Sequence, residues 1–305
     1  MDVELRTGGR VVVGTDGSER ADKAVRWAAD RAGKLALPLL ILYIVPENWA
    51  VGTLPAAAYG EMASAIIAEY QLEFLVRARK RLDEIAQRVR EGSPGLDVEA
   101  VVVEGRPSFV LAEASKDAAL VVVGARGETA PRAVKWLGGV TDDVVNHAHG
   151  PIAVIGDEAQ ENPQGPVVVG VDDSPQARGA ARLAFQAADA RGVAVTAIHA
   201  YTPGGVGDLV VAETWAPTMP EPDQSVITVM IEGVLADAVK EYPNVTYQVH
   251  VLRGRPQDAL VDASDGAGLV VVGSRGRGGF RGLLLGSTSK HVLRESLSPV
   301  IVTRG

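Results

Sequence analysis

The stretch Gly273-Ser274-Arg275-Gly276-Arg277-Gly278-Gly279-Phe280-Arg281-Gly282-Leu283-Leu284-Leu285-Gly286-Ser287-Thr288-Ser289 gathers glycines, guanidinium groups and hydroxyls directly after the apolar run Leu269-Val270-Val271-Val272. A chain that turns through glycines brings backbone N–H groups close to phosphate oxygens. Ser287, Thr288 and Ser289 stand where a helix is expected to open, and a helix N-terminus adds unpaired N–H donors and a partial positive charge. Arg275, Arg277 and Arg281 put three cations beside this loop in a chain of formal net charge −8. Guanidinium groups suit phosphate geometry. The chemistry indicated is the holding of phosphates, with a capped flexible turn as the plain alternative. Two better-known motifs do not fit. A P-loop needs Gly-Lys before Ser or Thr, and no Lys precedes Ser287. A dinucleotide fingerprint needs Gly-x-Gly-x-x-Gly in the first strand–helix turn, where Gly170-Val171-Asp172-Asp173-Ser174 has one glycine.

Other chemistries find little support. The chain has no Cys, which excludes disulfides, Cys-ligated zinc and Cys nucleophiles. Its five histidines are scattered without metal-ligand spacing. His147 and His149 are two apart on an expected helix and do not share a face. His199 and His250 fall on expected strands, and the set reads as structural. Ser18 and Ser174 lack the setting of a nucleophile elbow. The acidic balance argues against nucleic acid and membrane surfaces as partners. Met1–Arg10 has no apolar signal core, and no apolar run approaches a membrane span, so a cytoplasmic location is expected.

The elements that must position the loop come from a repeat. Val11-Val12-Val13-Gly14-Thr15-Asp16-Gly17-Ser18 is echoed by Val167-Val168-Val169-Gly170-Val171-Asp172-Asp173-Ser174. Gly105-Arg106-Pro107 is echoed by Gly254-Arg255-Pro256, and Leu120-Val121-Val122-Val123-Gly124-Ala125-Arg126-Gly127 by Leu269-Val270-Val271-Val272-Gly273-Ser274-Arg275-Gly276. Pro151-Ile152-Ala153-Val154-Ile155 is echoed by Pro299-Val300-Ile301-Val302-Thr303. Repeats in constant order imply two copies of one domain, assigned to residues 1–156 and 166–305. The polar segment 157–165 between them, with Pro163 and Gly165, reads as a linker.

Each copy reads as strand, helix, strand, long insert, strand, helix, strand, loop, helix, strand. Val/Ile-rich runs without alternation are strands buried on both faces. Ser18 is the expected N-cap of the first helix, with Ala21, Ala24, Val25, Ala28 and Ala32 as its apolar stripe and Gly33 as its stop. Ser174 caps the corresponding helix, Pro175 takes its first position and Gly192 its stop. The fold class is α/β, with two tandem doubly wound parallel-sheet domains. Ligands bind such sheets beyond the carboxyl ends of the strands, where the strand order switches. Tyr43–Gln71 and Tyr201–Gln224 are the least regular stretches, either lids or ornaments.

Gly-x-x-Gly, nine residues, then Gly-Ser is matched without a gap by Gly273, Gly276, Gly286 and Ser287. It resembles the ATP-binding signature of the universal stress protein family. The Val-Gly-Val-Asp-Asp-Ser strand end and the Gly-Arg-Pro block resemble that family as well, across nearly all of both halves. The resemblance implies a Rossmann-like, adenine nucleotide α-hydrolase-like domain that holds ATP, with Mg²⁺ bound through the phosphates. Asp172 would face adenine and ribose over a floor of Gly170 and Val171, and Ala200 would offer backbone contacts to the base. Gly273, Ser274, Arg275, Gly276, Arg277, Gly278, Gly279, Gly286 and Ser287 would surround ribose and phosphates, with Thr288 and Ser289 extending the triphosphate contacts.

The first copy keeps Gly14, Thr15, Asp16 and Ile44, and Gly124, Ala125, Arg126 and Gly127 match. Ten residues then precede Gly138, Gly139 stands where Ser is expected, Glu128 replaces Arg277 and Pro131 interrupts the loop. Arg126, Arg132 and Lys135 partly compensate. Nucleotide binding and degeneration to a structural partner remain equal readings of this copy.

No residue stands out as a base that activates water at a γ-phosphate, so the expectation is a regulator rather than an enzyme, with at most slow hydrolysis. The family resemblance adds a role in stress or dormancy. A weak ATPase or adenylyl-transfer enzyme, and a scaffold with degenerate sites, are the alternatives. The uncharged strands that end each copy invite pairing. The resemblance suggests that the two domains pair through them, and a homodimer of chains and unidentified protein partners are expected.

Overall fold

The computed structural model describes residues 5–46, 60–127, 137–160, 162–202, 223–276 and 285–304, with residues 60–68 described by backbone alone. The chain divides into two compact units at Gly150–Pro151, except that, among the described residues, Leu137 and Val145–His147 group with the second.

The first unit contains β1 (Val11–Thr15), α1 (Glu19–Leu35), β2 (Leu39–Val45), α2 (Gly60–Gly92), β3 (Val98–Glu104), α3 (Pro107–Ala114), β4 (Leu120–Gly124) and the start of α4 (Gly139–His147). Its strands lie in the order β3-β2-β1-β4, all parallel, with Val13 beside both Ile41 and Val122. Val11, Val12, Val13, Leu39, Ile41, Leu42, Val121 and Val122 are fully buried. Helices therefore cover both faces of this sheet, which explains why the strands read as unbroken apolar runs.

The second unit contains β5 (Ile152–Ile155), β6 (Val167–Gly170), α5 (Pro175–Asp189), β7 (Val195–Tyr201), α6 (Gln224–Glu241), β8 (Tyr247–Arg253), α7 (Pro256–Ser264), β9 (Leu269–Gly273), α8 (Ser287–Glu295) and β10 (Val300–Thr303). Its order is β5-β10-β9-β6-β7-β8, parallel except that β5 runs antiparallel to β10, with Ala153 opposite Ile301. The strand order switches at β1/β4 in one unit and at β6/β9 in the other. The described ends of both candidate loops, Gly124–Gly127 with Gly138 and Gly273–Gly276 with Gly286, sit at those switches.

Close approach at the strand ends uses glycine. A Cβ on Gly14 would lie 2.9 Å from Leu111 Cδ1 of α3, and one on Gly170 would lie 2.9 Å from Leu260 Cδ1 of α7. The Gly-Arg-Pro blocks start α3 and α7: Gly105 and Gly254 take φ of 155° and 142°, and Pro107 and Pro256 occupy the first turn. A side chain rarely adopts such a φ.

Several local expectations are corrected. The helix α1 runs through Gly33 to Leu35 and ends on Ala36 in the left-handed conformation, φ 52°. The Ala36 N–H bonds the Ala32 and Gly33 carbonyls, so the turn is closed by backbone bonds with no glycine at the cap. Gly192, by contrast, is the expected stop: just past the end of α5 at Asp189 it takes φ 65°, and the Val193 N–H donates to Ala188 O at 3.1 Å. His149 lies beyond the end of α4.

The first insert differs from the irregular stretch expected, since α2 begins inside it; α6 begins at Gln224, where the second insert ends, so every copy has four helices among the described residues. Ala78, Leu82, Ile85, Ala86 and Val89 form the buried stripe of α2, while Glu73–Arg77 and Arg79–Asp83 ion pairs line its exposed side. No described helix is long and apolar enough to cross a membrane.

One ion pair appears in both units with its signs exchanged. Asp22 of α1 meets Arg88 of α2 at 3.0 Å, and Arg178 of α5 meets Asp237 of α6 at 3.5 Å.

The segment read as a linker is docked on the second unit. The Arg191 guanidinium donates to the carbonyls of Asn162 (2.8 Å), Pro163 (3.2 Å) and Gly165 (3.2 Å). The Asn162 amide donates to Gly266 O at 2.6 Å, and Gln160 N–H donates to Leu297 O at 2.7 Å. Ala159 is buried.

Candidate functional site

In the second unit, β6 delivers Asp172 to the switch point. Its Oδ1 accepts from the Ser174 N–H at 3.0 Å and from the Ser174 hydroxyl. This corrects the expected capping: Ser174 holds the N-cap position of α5, but its side chain makes no bond to the helix. The hydroxyl fixes the carboxylate instead. Oδ2 is directed at the glycine loop, where a Cβ on Gly276 would lie 2.6 Å from it. Glycine at 276 is thus a packing requirement of Asp172.

The loop is laced to the sheet through Ser274, which is buried. Its N–H donates to Thr303 O at 2.8 Å, and its carbonyl accepts from Gly286 N–H at 2.7 Å. A Cβ on Gly286 would lie 3.4 Å from Ser274 O and 3.6 Å from Arg275 Cα, so both ends of the loop meet here. From Gly286 the chain enters α8 with no side-chain cap bond. The first N–H groups of a helix lack intrahelical partners, and Ser287 is exposed and Thr288 half-buried beside them. Ser289 is different. It is buried, and its hydroxyl donates to Gly273 O at 2.6 Å, bracing the strand end rather than facing outward.

Gly273 is packed against α5, where a Cβ would lie 3.1 Å from Gln176 Cβ. Val171 is buried, and Ala200, at the end of β7, is half-buried. Between the two strands stands His199, also buried, whose Nδ1 lies 2.9 Å from Val171 O. A carbonyl only accepts, so Nδ1 carries the proton. The Arg304 guanidinium, one residue beyond β10, donates to Val145 O. Burial, and then the nearby Arg275 charge, lowers the Arg304 pKa from its usual value.

The first unit repeats the frame. Asp16 Oδ1 accepts from Ser18 N–H at 3.0 Å, and a Cβ on Gly127 would lie 3.0 Å from Asp16 Oδ2. Gly138 N–H donates to Ala125 O at 2.8 Å, the counterpart of the Gly286–Ser274 bond, and Arg126 follows. Thr141 Oγ1 donates to Gly124 O at 2.7 Å, the counterpart of Ser289. The two positions before Thr141 differ. Gly139 and Val140 replace Ser287 and Thr288, so the bracing hydroxyl is kept and the outward ones are lost.

Other features of this unit complete its site. Ser18 does cap α1, accepting from Ala21 N–H at 3.2 Å. Arg20 donates to Gly127 O at 3.0 Å. Gly17 takes φ 78°, and Arg81 of α2 donates to its carbonyl from Nε (3.2 Å) and Nη2 (3.1 Å), beside Tyr43. Thr15 Oγ1 accepts from Gly17 N–H at 3.1 Å, and Ile44 is buried at the end of β2. Gly14 is half-buried below them.

The structure therefore brings Gly170, Val171, Asp172, Gly273, Ser274, Gly276, Gly286 and Ser287 to one switch point, and Gly14, Asp16, Gly124, Gly127 and Gly138 to the other. Arg277, Gly278, Gly279 and Arg281 lie outside the described residues, as do Glu128, Pro131, Arg132, Lys135 and residues 47–59 and 203–222 of the inserts. Thr141, Arg20 and Arg81 are site residues that the sequence motifs do not mark, and His199 lies at the site although its place on a strand reads as structural. Thr141 carried a signal: it aligns with Ser289 once Gly138 is set against Gly286.

Comparison with known proteins agrees with this frame. The model of the universal stress protein family matches residues 9–156 and again 165–304. Universal stress protein Rv1996 of Mycobacterium tuberculosis is 36% identical over 306 residues, covering 96% of this chain and 94% of that protein. Universal stress protein Rv2623 of the same organism is 36% identical over 308 residues, covering 96% of each. A universal stress protein of Mycolicibacterium smegmatis is 34% identical over 297 residues, with the same coverage of each. The crystal structure of a universal stress protein from Archaeoglobus fulgidus superposes with a TM-score of 0.71 at 22% identity, covering 98% of this chain and 99% of that one, and so shares the fold. The chain belongs to the universal stress protein family, with two copies of its domain.

Proposed function

We propose that this protein binds ATP at the switch point of its second domain and works as a regulator in a stress or dormancy response. One observation carries the reading. Gly286 closes on Ser274, Gly276 lies against the Asp172 carboxylate fixed by Ser174, and the uncapped N-terminus of α8 adjoins them with the Ser287 and Thr288 hydroxyls. Unpaired helix N–H groups and hydroxyls suit phosphates, and the Asp172 carboxylate suits ribose hydroxyls or a base N–H. Mg²⁺ would be held chiefly by the phosphates. Loss of the outward hydroxyls at Gly139 and Val140 favours a first domain that supports the second or binds more weakly. Regulation would follow from ATP ordering the loop and altering a surface that partner proteins read. Chemistry on ATP would be slow or absent. A cytoplasmic location and a dimer of chains accompany the reading.

The test is mass spectrometry of nucleotide released from the purified, denatured protein, followed by calorimetric titration with ATP and AMP. One ATP per chain, lost in Ser287→Ala, supports it. No released nucleotide and no heat with either titrant removes it and leaves a scaffold. Turnover well above background, abolished by Asp172→Ala, would replace the regulator with an enzyme.

A further inference from the structure

We infer that His199 is a positioning residue of the second nucleotide site: its Nδ1–H holds the Val171 carbonyl, and that bond sets the loop that presents Asp172. The inference rests on the nucleotide reading of this site and adds a residue to it.

The geometry is short and complete. β6 ends at Gly170, and the next residue still joins the sheet through its N–H, which donates to Ile198 O at 2.9 Å. Its carbonyl has no strand partner at that point, since the chain turns away toward Asp172. A buried carbonyl without a donor is costly. His199 supplies the donor from the next residue of β7, at 2.9 Å and in a buried place. Val171 is thus fastened on both sides to consecutive residues of β7. The carboxylate that follows is fastened by Ser174. Asp172 then has little freedom, which its close approach to Gly276 requires.

The first copy holds its loop with other side chains. The residue equivalent to His199 is Tyr43, which packs beside Gly17, and the loop is held farther on by Arg81 on the Gly17 carbonyl. The imidazole brace therefore belongs to the copy that keeps Ser287 and Thr288. A histidine chosen only to fill the core would not need its ring nitrogen on this carbonyl.

The test uses the full chain in three variants, His199→Val, His199→Tyr and His199→Asn. Asn places an amide N–H near the position of Nδ1, whereas Val has no donor and Tyr reproduces the first copy. Calorimetry with ATP measures affinity, and amide hydrogen exchange in the nucleotide-free protein measures protection at residues 171–174. The expected result is ATP binding weaker by on the order of tenfold in the Val and Tyr variants, the equivalent of one lost hydrogen bond. Exchange at 171–174 should rise, and Asn should restore both. Unchanged affinity and exchange in His199→Val would overturn the proposal. So would an Asn variant no better than Val, because the ring rather than the donor would then matter. If the wild-type chain binds no ATP while exchange still rises in Val and recovers in Asn, the nucleotide reading fails and the binding role falls with it, but the brace on Val171 stands.

Discussion

Asp172 and Gly276 are complementary in shape: the carboxylate Oδ2 lies 2.6 Å from where a Cβ on residue 276 would stand. The glycine of the loop is thereby tied to the acid of the first turn across the switch point. Asp16 and Gly127 repeat the relation at 3.0 Å. A pair conserved in both halves of one chain, while the loop between them diverges, marks the part of the frame that both copies need.

Gly276→Ala should displace Asp172 and weaken ATP binding by more than roughly tenfold, since real Cβ atoms do not approach an oxygen at that distance. Gly127→Ala meets a looser contact on an exposed Asp16 and should change binding and stability less. Calorimetric titration of both variants, with far-ultraviolet circular dichroism to confirm folding, checks the order.

Ser287 and Ser289 should separate binding from stability. Ser289→Ala removes a buried bond to Gly273 O and should cost about 1 kcal/mol in urea unfolding. Ser287 is exposed, so Ser287→Ala should leave the unfolding midpoint in place and lower ATP affinity. Equal effects of the two variants on both measurements would contradict this division.

Restoring hydroxyls should strengthen the first site. Gly139→Ser with Val140→Thr rebuilds the Ser287-Thr288 pair ahead of Thr141, which already braces Gly124. The double variant should bind more ATP per chain than the parent at a fixed subsaturating concentration. No gain would show that the remaining difference lies in the loop itself.

Arg191→Ala should free the segment between the domains. The guanidinium serves three carbonyls, two of them part-buried and that of Pro163 exposed, and a hydrogen bond to a charged group contributes about 1.5–3 kcal/mol, less where water can replace it. The expected result is faster proteolytic cleavage near Pro163 with the parent domains still folded. Arg191→Lys offers one compact ammonium in place of a fork and should rescue only in part.

Much of the fold was legible because its signals are local. Unbroken valine runs marked the buried strands, and Gly-Arg-Pro marked two helix starts. The Asp172–Gly276 site was legible through glycine spacing. The helices α2 and α6 were not: α2 carries a face rich in charged pairs, and α6 follows a Pro- and Gly-rich stretch that hides its start, although Asp223 caps it. Gly33 misled for a physical reason: backbone bonds close the α1 turn on Ala36, and glycine within a helix costs only about 1 kcal/mol. Ser174 misled because Asp172 competes for its hydroxyl. His199 could not be read from the chain at all, since its role depends on the carbonyl of a strand that lies 28 positions away.

The exchanged signs of Asp22–Arg88 and Arg178–Asp237 bear on how a duplicated chain avoids assembling wrongly. Two copies of one domain offer each first helix two similar second helices. Crossing the copies would set Asp22 against Asp237 and Arg178 against Arg88, like against like. The correct partners attract and the crossed ones repel. The exchanged signs thus tilt each first helix toward its own second helix by the few tenths of a kcal/mol that exposed pairs contribute, a bias that identical halves would lack.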